Sequence, residues 1–243
     1  MTINPTEPSG RSTTISVLIL SIIAVVSAAL IAALVSPVGL PSLLASLADP
    51  AQHSYWYLSR GSGIVAYLII WLSTALGLMV TNKLGRLWPG GPATVDLHEF
   101  TGLLGMAFSV FHVLILLGDQ YIGYTLGQLL IPFASSDYRP LWVGLGQVGL
   151  YLGLPVTFAF YVRQRIGHLW RALHYGSFAM FALLALHGLM SGTDSQQPAI
   201  QVMYWLTSAS VVGLTVYRVW VARQQAAKTT RRVEARVSRP VRE

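Results

Sequence analysis

Four histidines lie inside long apolar stretches of this 243-residue chain. His98 and His112 stand 14 residues apart in one stretch, and His174 and His187 stand 13 apart in another. Imidazole is the commonest protein metal ligand and changes charge near physiological pH. An ionisable side chain at membrane depth is costly and is functional by default. One histidine in an apolar helix reads first as a satisfied core residue; two pairs on two helices read differently. At 1.5 Å per residue the two spacings cover roughly 21 Å and 20 Å of helix. On parallel helices His98 then lies level with His174, and His112 level with His187. Two such pairs, stacked along the bundle, are what two six-coordinate haems require, with one imidazole approaching each porphyrin face.

The azimuths of the two pairs differ. Fourteen residues close four turns if the helix underwinds to about 3.5 residues per turn. Thirteen residues leave the two side chains roughly 140° apart on an ideal helix. The second helix is therefore expected to be locally irregular, near Gly176 or Gly188, or to present its two histidines at different azimuths.

The elements that carry these residues follow from composition. Hydrophobic residues make up 53% of the chain and charged residues 10%, against roughly 25% charged in an ordinary soluble domain. Mean hydropathy is +0.57. Six apolar runs stand out: Ile15–Ser36, Gly61–Thr81, Leu97–Gly118, Leu141–Val162, Leu173–Met190 and Ile200–Val221. Each is near the ~20 residues that cross a bilayer as a helix. Backbone groups in hydrocarbon must be satisfied within the chain, so helices or closed barrels are required, and barrel strands would be short and alternating. The expected fold is an all-α integral membrane bundle of six helices. It divides into an N-terminal tail (1–14), one membrane domain (15–221) and a basic tail (222–243) expected to be disordered. No internal repeat is evident.

Lys and Arg set the expected orientation. Of 16 such residues, all but Arg60 and Arg139 fall in the N-terminus, the segments after the second and fourth runs, and the C-terminus. The positive-inside rule then puts both termini in the cytoplasm, and the parallel third and fifth helices both run outward. The first run is too long for a signal-peptide core and shows no clear cleavage site, so it reads as a retained helix. The expected location is a prokaryotic plasma (inner) membrane, multi-pass. The net charge of +7 sits mostly in the tail and suits the anionic leaflet; nucleic acid is not expected. The absence of cysteine excludes disulfides, thiolate haem ligation, iron–sulfur clusters and thiol catalysis. Arg60-Gly61-Ser62-Gly63 follows no strand and is no dinucleotide fingerprint.

The paired spacings of 14 and 13 on the third and fifth of six helices, with the stretches Leu97-His98-Glu99-Phe100-Thr101-Gly102-Leu103-Leu104-Gly105 and Trp170-Arg171-Ala172-Leu173-His174-Tyr175, resemble the ferric reductase-like transmembrane domain. That family includes the haem domains of NADPH oxidases and iron reductases, and the haem subunit of the periplasmic methionine sulfoxide reductase system. The resemblance covers about residues 55–220. It implies two haems b with bis-histidine iron, and electron flow from the cytoplasmic side to an acceptor outside. It also implies that Arg60, at the outer helix edge, meets an outer-haem propionate, against the plainer reading of an interfacial snorkelling arginine. Arg171, three residues before His174, could likewise meet an inner-haem propionate, against the plainer reading of a positive-inside topology residue; Lys83 and Arg86 are weaker candidates of the same kind.

The chain departs from the oxidases in carrying no flavin or nicotinamide domain. Electrons are expected from a separate flavoprotein or a membrane quinol, and are passed to an external acceptor or a partner protein. Whether the chain is an enzyme is open. One reading makes it the membrane subunit of an oxidoreductase. The alternative is a haem-bearing structural or electron-carrier subunit of a larger membrane complex, with no substrate site of its own.

The remaining polar and aromatic residues have plainer readings. His53 and His168 read as solvated loop residues. Asp96 and Glu99 flank His98 and could orient it, but read first as solvated carboxylates. Tyr55, Trp56, Tyr57, Trp142 and Trp170 fit interfacial belts. The segment Leu126–Phe133, too short to span, is expected to cap the outer site with Asp137 and Arg139 at its edge.

Overall fold

Proline at the first turn, where its missing N–H costs nothing, opens two of the long helices at Pro92 and Pro140. The computed structural model describes residues 54–84, 90–119, 122–136 and 138–237, with the side chains of 231–237 excepted. Its order is α1 (Ser54–Thr81), α2 (Gly91–Ile115) continued by a 3-10 turn at Leu116–Gly118, α3 (Leu126–Leu130), α4 (Pro140–Ile166), α5 (Leu169–Ser191) and α6 (Pro198–Val237). Every regular element among the described residues is helical. Five helices, all but the short α3, are long and apolar enough to cross a membrane. They correspond to the second through sixth apolar runs. The first run, Ile15–Ser36, lies outside the described residues, as do His53, Arg86 and Asp137.

Two antiparallel hairpins dominate the packing, α1 with α2 and α4 with α5. The turn between α4 and α5 closes at Gly167, whose φ of +54° suits a residue with no Cβ. Pro155 sits inside α4, which a membrane helix tolerates when neighbours re-satisfy the backbone. The helix α6 packs on α1. Polar contacts pin it there, Tyr67 Oη with Thr207 Oγ1 at 2.6 Å and Trp71 Nε1 donating to Ser210 Oγ at 2.8 Å. The core forms where α1, α5 and α6 meet, around Tyr67, Ile70, Met180, Phe181, Tyr204 and Val211. The outward faces are apolar too: Tyr175 is 72% exposed, Trp205 68% and Leu206 66%. Apolar surface that extensive calls for an apolar surrounding, and with the five long helices it marks a multi-pass membrane protein.

Two expectations change. The tail is not disordered where described, because α6 runs 40 residues to Val237. Residues 222–237 are rich in Ala, Arg and Gln, which are good helix formers, so the helix continues past its apolar part. At 1.5 Å per residue it is about 60 Å long, twice the ~30 Å of a hydrocarbon core. The helix α5 is also one unbroken α-helix. Of the two options left by the 13-residue spacing, the structure takes different azimuths.

Candidate metal-ligating histidine pairs

The depth arithmetic is met in three dimensions. The rings of His98 (α2) and His174 (α5) have centroids 5.8 Å apart with planes at 90°. Those of His112 (α2) and His187 (α5) are 6.2 Å apart at 71°. An imidazole nitrogen binds a metal at about 2 Å, so two axial rings on one ion need centroids about 6 Å apart. Among the described residues no group of three or more His, Cys, Asp or Glu gathers as a metal site. The ring spacing within each pair is one at which two imidazoles could share an ion.

The hydrogen bonds decide which ring nitrogen is available. His112 Nδ1 lies 2.7 Å from the Ser59 carbonyl oxygen. His98 Nδ1 lies 2.8 Å from the Ser73 carbonyl oxygen, and His187 Nδ1 lies 2.9 Å from that of Trp142. A carbonyl oxygen only accepts, so each Nδ1 carries the proton and donates. In the neutral ring Nε2 is then the unprotonated, metal-binding nitrogen. This is the arrangement that orients imidazole ligands and raises their basicity. The fourth histidine lacks it: His174 Nδ1 is buried with no hydrogen-bond partner. It stacks instead on Trp170, with centroids 5.3 Å apart and planes at 21°.

Local sequence makes room for these contacts. The carbonyl of residue i in a helix points toward residue i+4, so a side chain reaching that carbonyl passes over the i+4 Cβ. Each of the three carbonyls has glycine there: Gly63 after Ser59, Gly77 after Ser73 and Gly146 after Trp142. A Cβ at Gly63 would stand 3.0 Å from the His112 ring, one at Gly77 3.0 Å from His98, and one at Gly146 2.5 Å from His187 Nδ1. The serine hydroxyls add closer fitting. Ser59 Oγ lies 3.2 Å from His112 Nδ1, and Ser73 Oγ donates to the His98 carbonyl at 3.0 Å.

A cavity of about 180 Å³ adjoins the His112/His187 pair. Its walls include Gly63, Tyr67, Gly146 and Tyr204, and Ile122, Tyr124 and Leu129 from the α2–α4 connection. That connection is tied to α4 by the buried Gln147, whose amide donates to the Gln128 carbonyl at 2.6 Å and the Leu129 carbonyl at 2.9 Å. Of the segment 126–133 expected to cap the site, Leu129 lines the cavity. Between the two histidine levels Met106 and Met180 meet over Gly153, an apolar layer.

The other candidates fall out as follows. Arg60 forms an ion pair with Asp194 and lies 4.1 Å over the Trp56 ring, and all three line the cavity. Its carboxylate partner in this structure is therefore a side chain. Arg171 is exposed. Lys83 follows the end of α1 with a φ of 60°. His168 is exposed, as expected. Asp96 and Glu99 do not orient His98; the Ser73 carbonyl does. Arg139 bonds the Met190 carbonyl, and Tyr138 the Ser191 carbonyl at 2.8 Å, tying α4 to the end of α5.

Sequence reasoning missed Ser59, Ser73, Trp142, their three glycines and Asp194. A signal existed for the first two seats. Ser-x-x-x-Gly occurs at 59–63 and 73–77, 14 residues apart like the two histidines it faces on an antiparallel helix. A scan against protein-family models, a search of curated proteins and a search of solved structures each find no match.

Proposed function

We propose that this chain is a transmembrane di-haem b cytochrome. It would take electrons from a cytoplasmic flavoprotein or a membrane quinol and pass them to an acceptor on the outer side of a prokaryotic plasma membrane. The observation that carries the reading is the pair of cross-helix histidine couples at ligand spacing, three of the four rings held as Nδ1–H donors with Nε2 left free. The residues fit the group: glycine-lined helix faces, an apolar layer between the levels, and one cavity already formed. A haem held by such a pair would supply a one-electron carrier. The chain's own part is to fix four imidazoles, exclude water and set local charge. His98 and His174 would hold the inner group, His112 and His187 the outer. Arg60 would exchange between Asp194 and an outer propionate, a bidentate match. Basic residues on the inner side suit an acidic donor, and a negative-inside potential favours outward movement by roughly 2.3 kcal/mol per 100 mV for a full crossing.

Purified protein in a pyridine haemochrome assay should give two haems b per chain with a low-spin spectrum. One per chain would remove a site, and none would sink the reading. In vesicles of known orientation, an impermeant reductant should drive transfer only from the side bearing the C-terminus. Transfer only in reverse would overturn the direction, and transfer in neither would favour a structural or electron-carrier subunit.

A further inference from the structure

We propose that three carbonyl–glycine seats, Ser59/Gly63, Ser73/Gly77 and Trp142/Gly146, fix the protonation and orientation of His112, His98 and His187, and that His174 has no such seat. The two histidine pairs are then chemically unequal: one has both imidazoles seated, the other only one. The inference rests on the di-haem reading for its redox consequence, but its tautomer pattern does not.

On α2 the histidines are 14 apart, and the seats on α1 are also 14 apart. Equal spacing on two antiparallel helices lets one helix face serve both rings. On α5 the histidines are 13 apart. His187 faces α4, where the Trp142 carbonyl and Gly146 receive it. An unbroken helix turns His174 roughly 140° from that azimuth. The face of α4 that seats one ring therefore cannot seat the other, and His174 Nδ1 is left buried without a partner. Its ring is held by packing on Trp170.

The consequence follows from ligand basicity. An Nδ1–H that donates to a carbonyl gives the ring more imidazolate character, which favours the ferric ion. Each seat thus lowers the reduction potential of its site. On this contribution alone the His98/His174 site is the easier to reduce.

The test uses the full chain with His53→Gln and His168→Gln, so that four histidines remain, labelled with 15N. Three Nδ1–H groups should show the downfield proton shift of a strong hydrogen bond, and the fourth ring should show none. Haem-bound protein reads this through the Nδ1 proton of the axial ligands. Haem-free protein reads it directly as ring tautomers, so a failure of the haem reading remains distinguishable. Gly63→Ala should release the His112 proton alone, Gly77→Ala that of His98 and Gly146→Ala that of His187. With haem bound, the first and third should raise the potential of the outer site and the second that of the inner site. Gly61→Ala, whose Cβ meets nothing within 4 Å, should change none of these. Four equivalent Nδ1–H groups in the otherwise native chain would overturn the proposal, even if every glycine variant failed to fold. So would a folded Gly63→Ala protein with an unchanged His112.

Discussion

The two histidine levels are built by different means. At the His112/His187 level both rings donate to helix carbonyls, a cavity lies beside them, and the paired Arg60 and Asp194 are among its lining residues. At the His98/His174 level one ring donates to a carbonyl and the other rests on an indole. A backbone seat depends on what is missing from the sequence, a Cβ, while a packed seat depends on what is present. The difference teaches that equal ligand sets need not give equal sites. Each seat lies within its own hairpin, Ser59 of α1 receiving His112 of α2 and Trp142 of α4 receiving His187 of α5.

The largest effect that could break the comparison is loss of a ligand. His112→Ala and His187→Ala should each lower haem content from two to one and remove the same spectral component. His98→Ala and His174→Ala should remove the other component. If His174→Ala keeps both haems, the unseated ring is not a ligand and the inner pairing fails. If His112→Ala and His187→Ala lose different components, the level assignment is wrong. Pyridine haemochrome content and low-temperature spectra read both outcomes.

How much of this was legible in the sequence depends on the kind of signal. Apolar runs and the four histidines are side-chain patterns, so the five described spans and the two pairings could be read from them. The end of α6 was misjudged because charge was weighed above helix propensity; residues 222–237 are charged and also good helix formers. The seats were missed because their acceptors are backbone carbonyls, which no residue type advertises, and because glycine in a membrane helix reads first as close packing. Asp194 was missed because nothing in Ser191-Gly192-Thr193-Asp194 places it beside Arg60 more than 130 residues away.

A smaller effect would sharpen the contrast in charge. Asp194→Asn removes the anion paired with Arg60 and leaves a cation lining the cavity beside His112 and His187. A cation stabilises the reduced, more negative state, so the outer potential should rise, and Arg60→Gln should lower it. A change of about 1.4 kcal/mol corresponds to about 59 mV for one electron, and a hydrogen bond to a charged group is worth about 1.5–3 kcal/mol. Shifts of about 60 mV are expected outside. The inner site lies about 20 Å further along the helices, beyond the ~8 Å Debye length in physiological salt, and should move far less. Equal shifts at both sites in a potentiometric titration would show that Arg60 and Asp194 do not belong to the outer level.

The smallest effect concerns the connection that lines the cavity beside His112 and His187. Gln147 holds it with two amide donations to the Gln128 and Leu129 carbonyls, and its Oε1 accepts from the Phe133 backbone N–H at 3.3 Å. Phe133, with a φ of 64°, is a non-glycine residue in a left-handed conformation, which persists only where surroundings over-determine it. Gln147→Leu keeps similar bulk but strips all three bonds. Each backbone group left buried and unpaired costs about 1–3 kcal/mol, so the connection should open locally while α4 stays folded. Amide exchange at Phe133 should speed up by about tenfold, the equivalent of about 1.4 kcal/mol. Haem content should remain at two, and the reduced outer haem should react faster with small oxidants while the inner haem does not. Unchanged exchange at Phe133 would mean that Gln147 is not what holds the connection. Equal acceleration at both haems would mean that the connection does not distinguish the two levels.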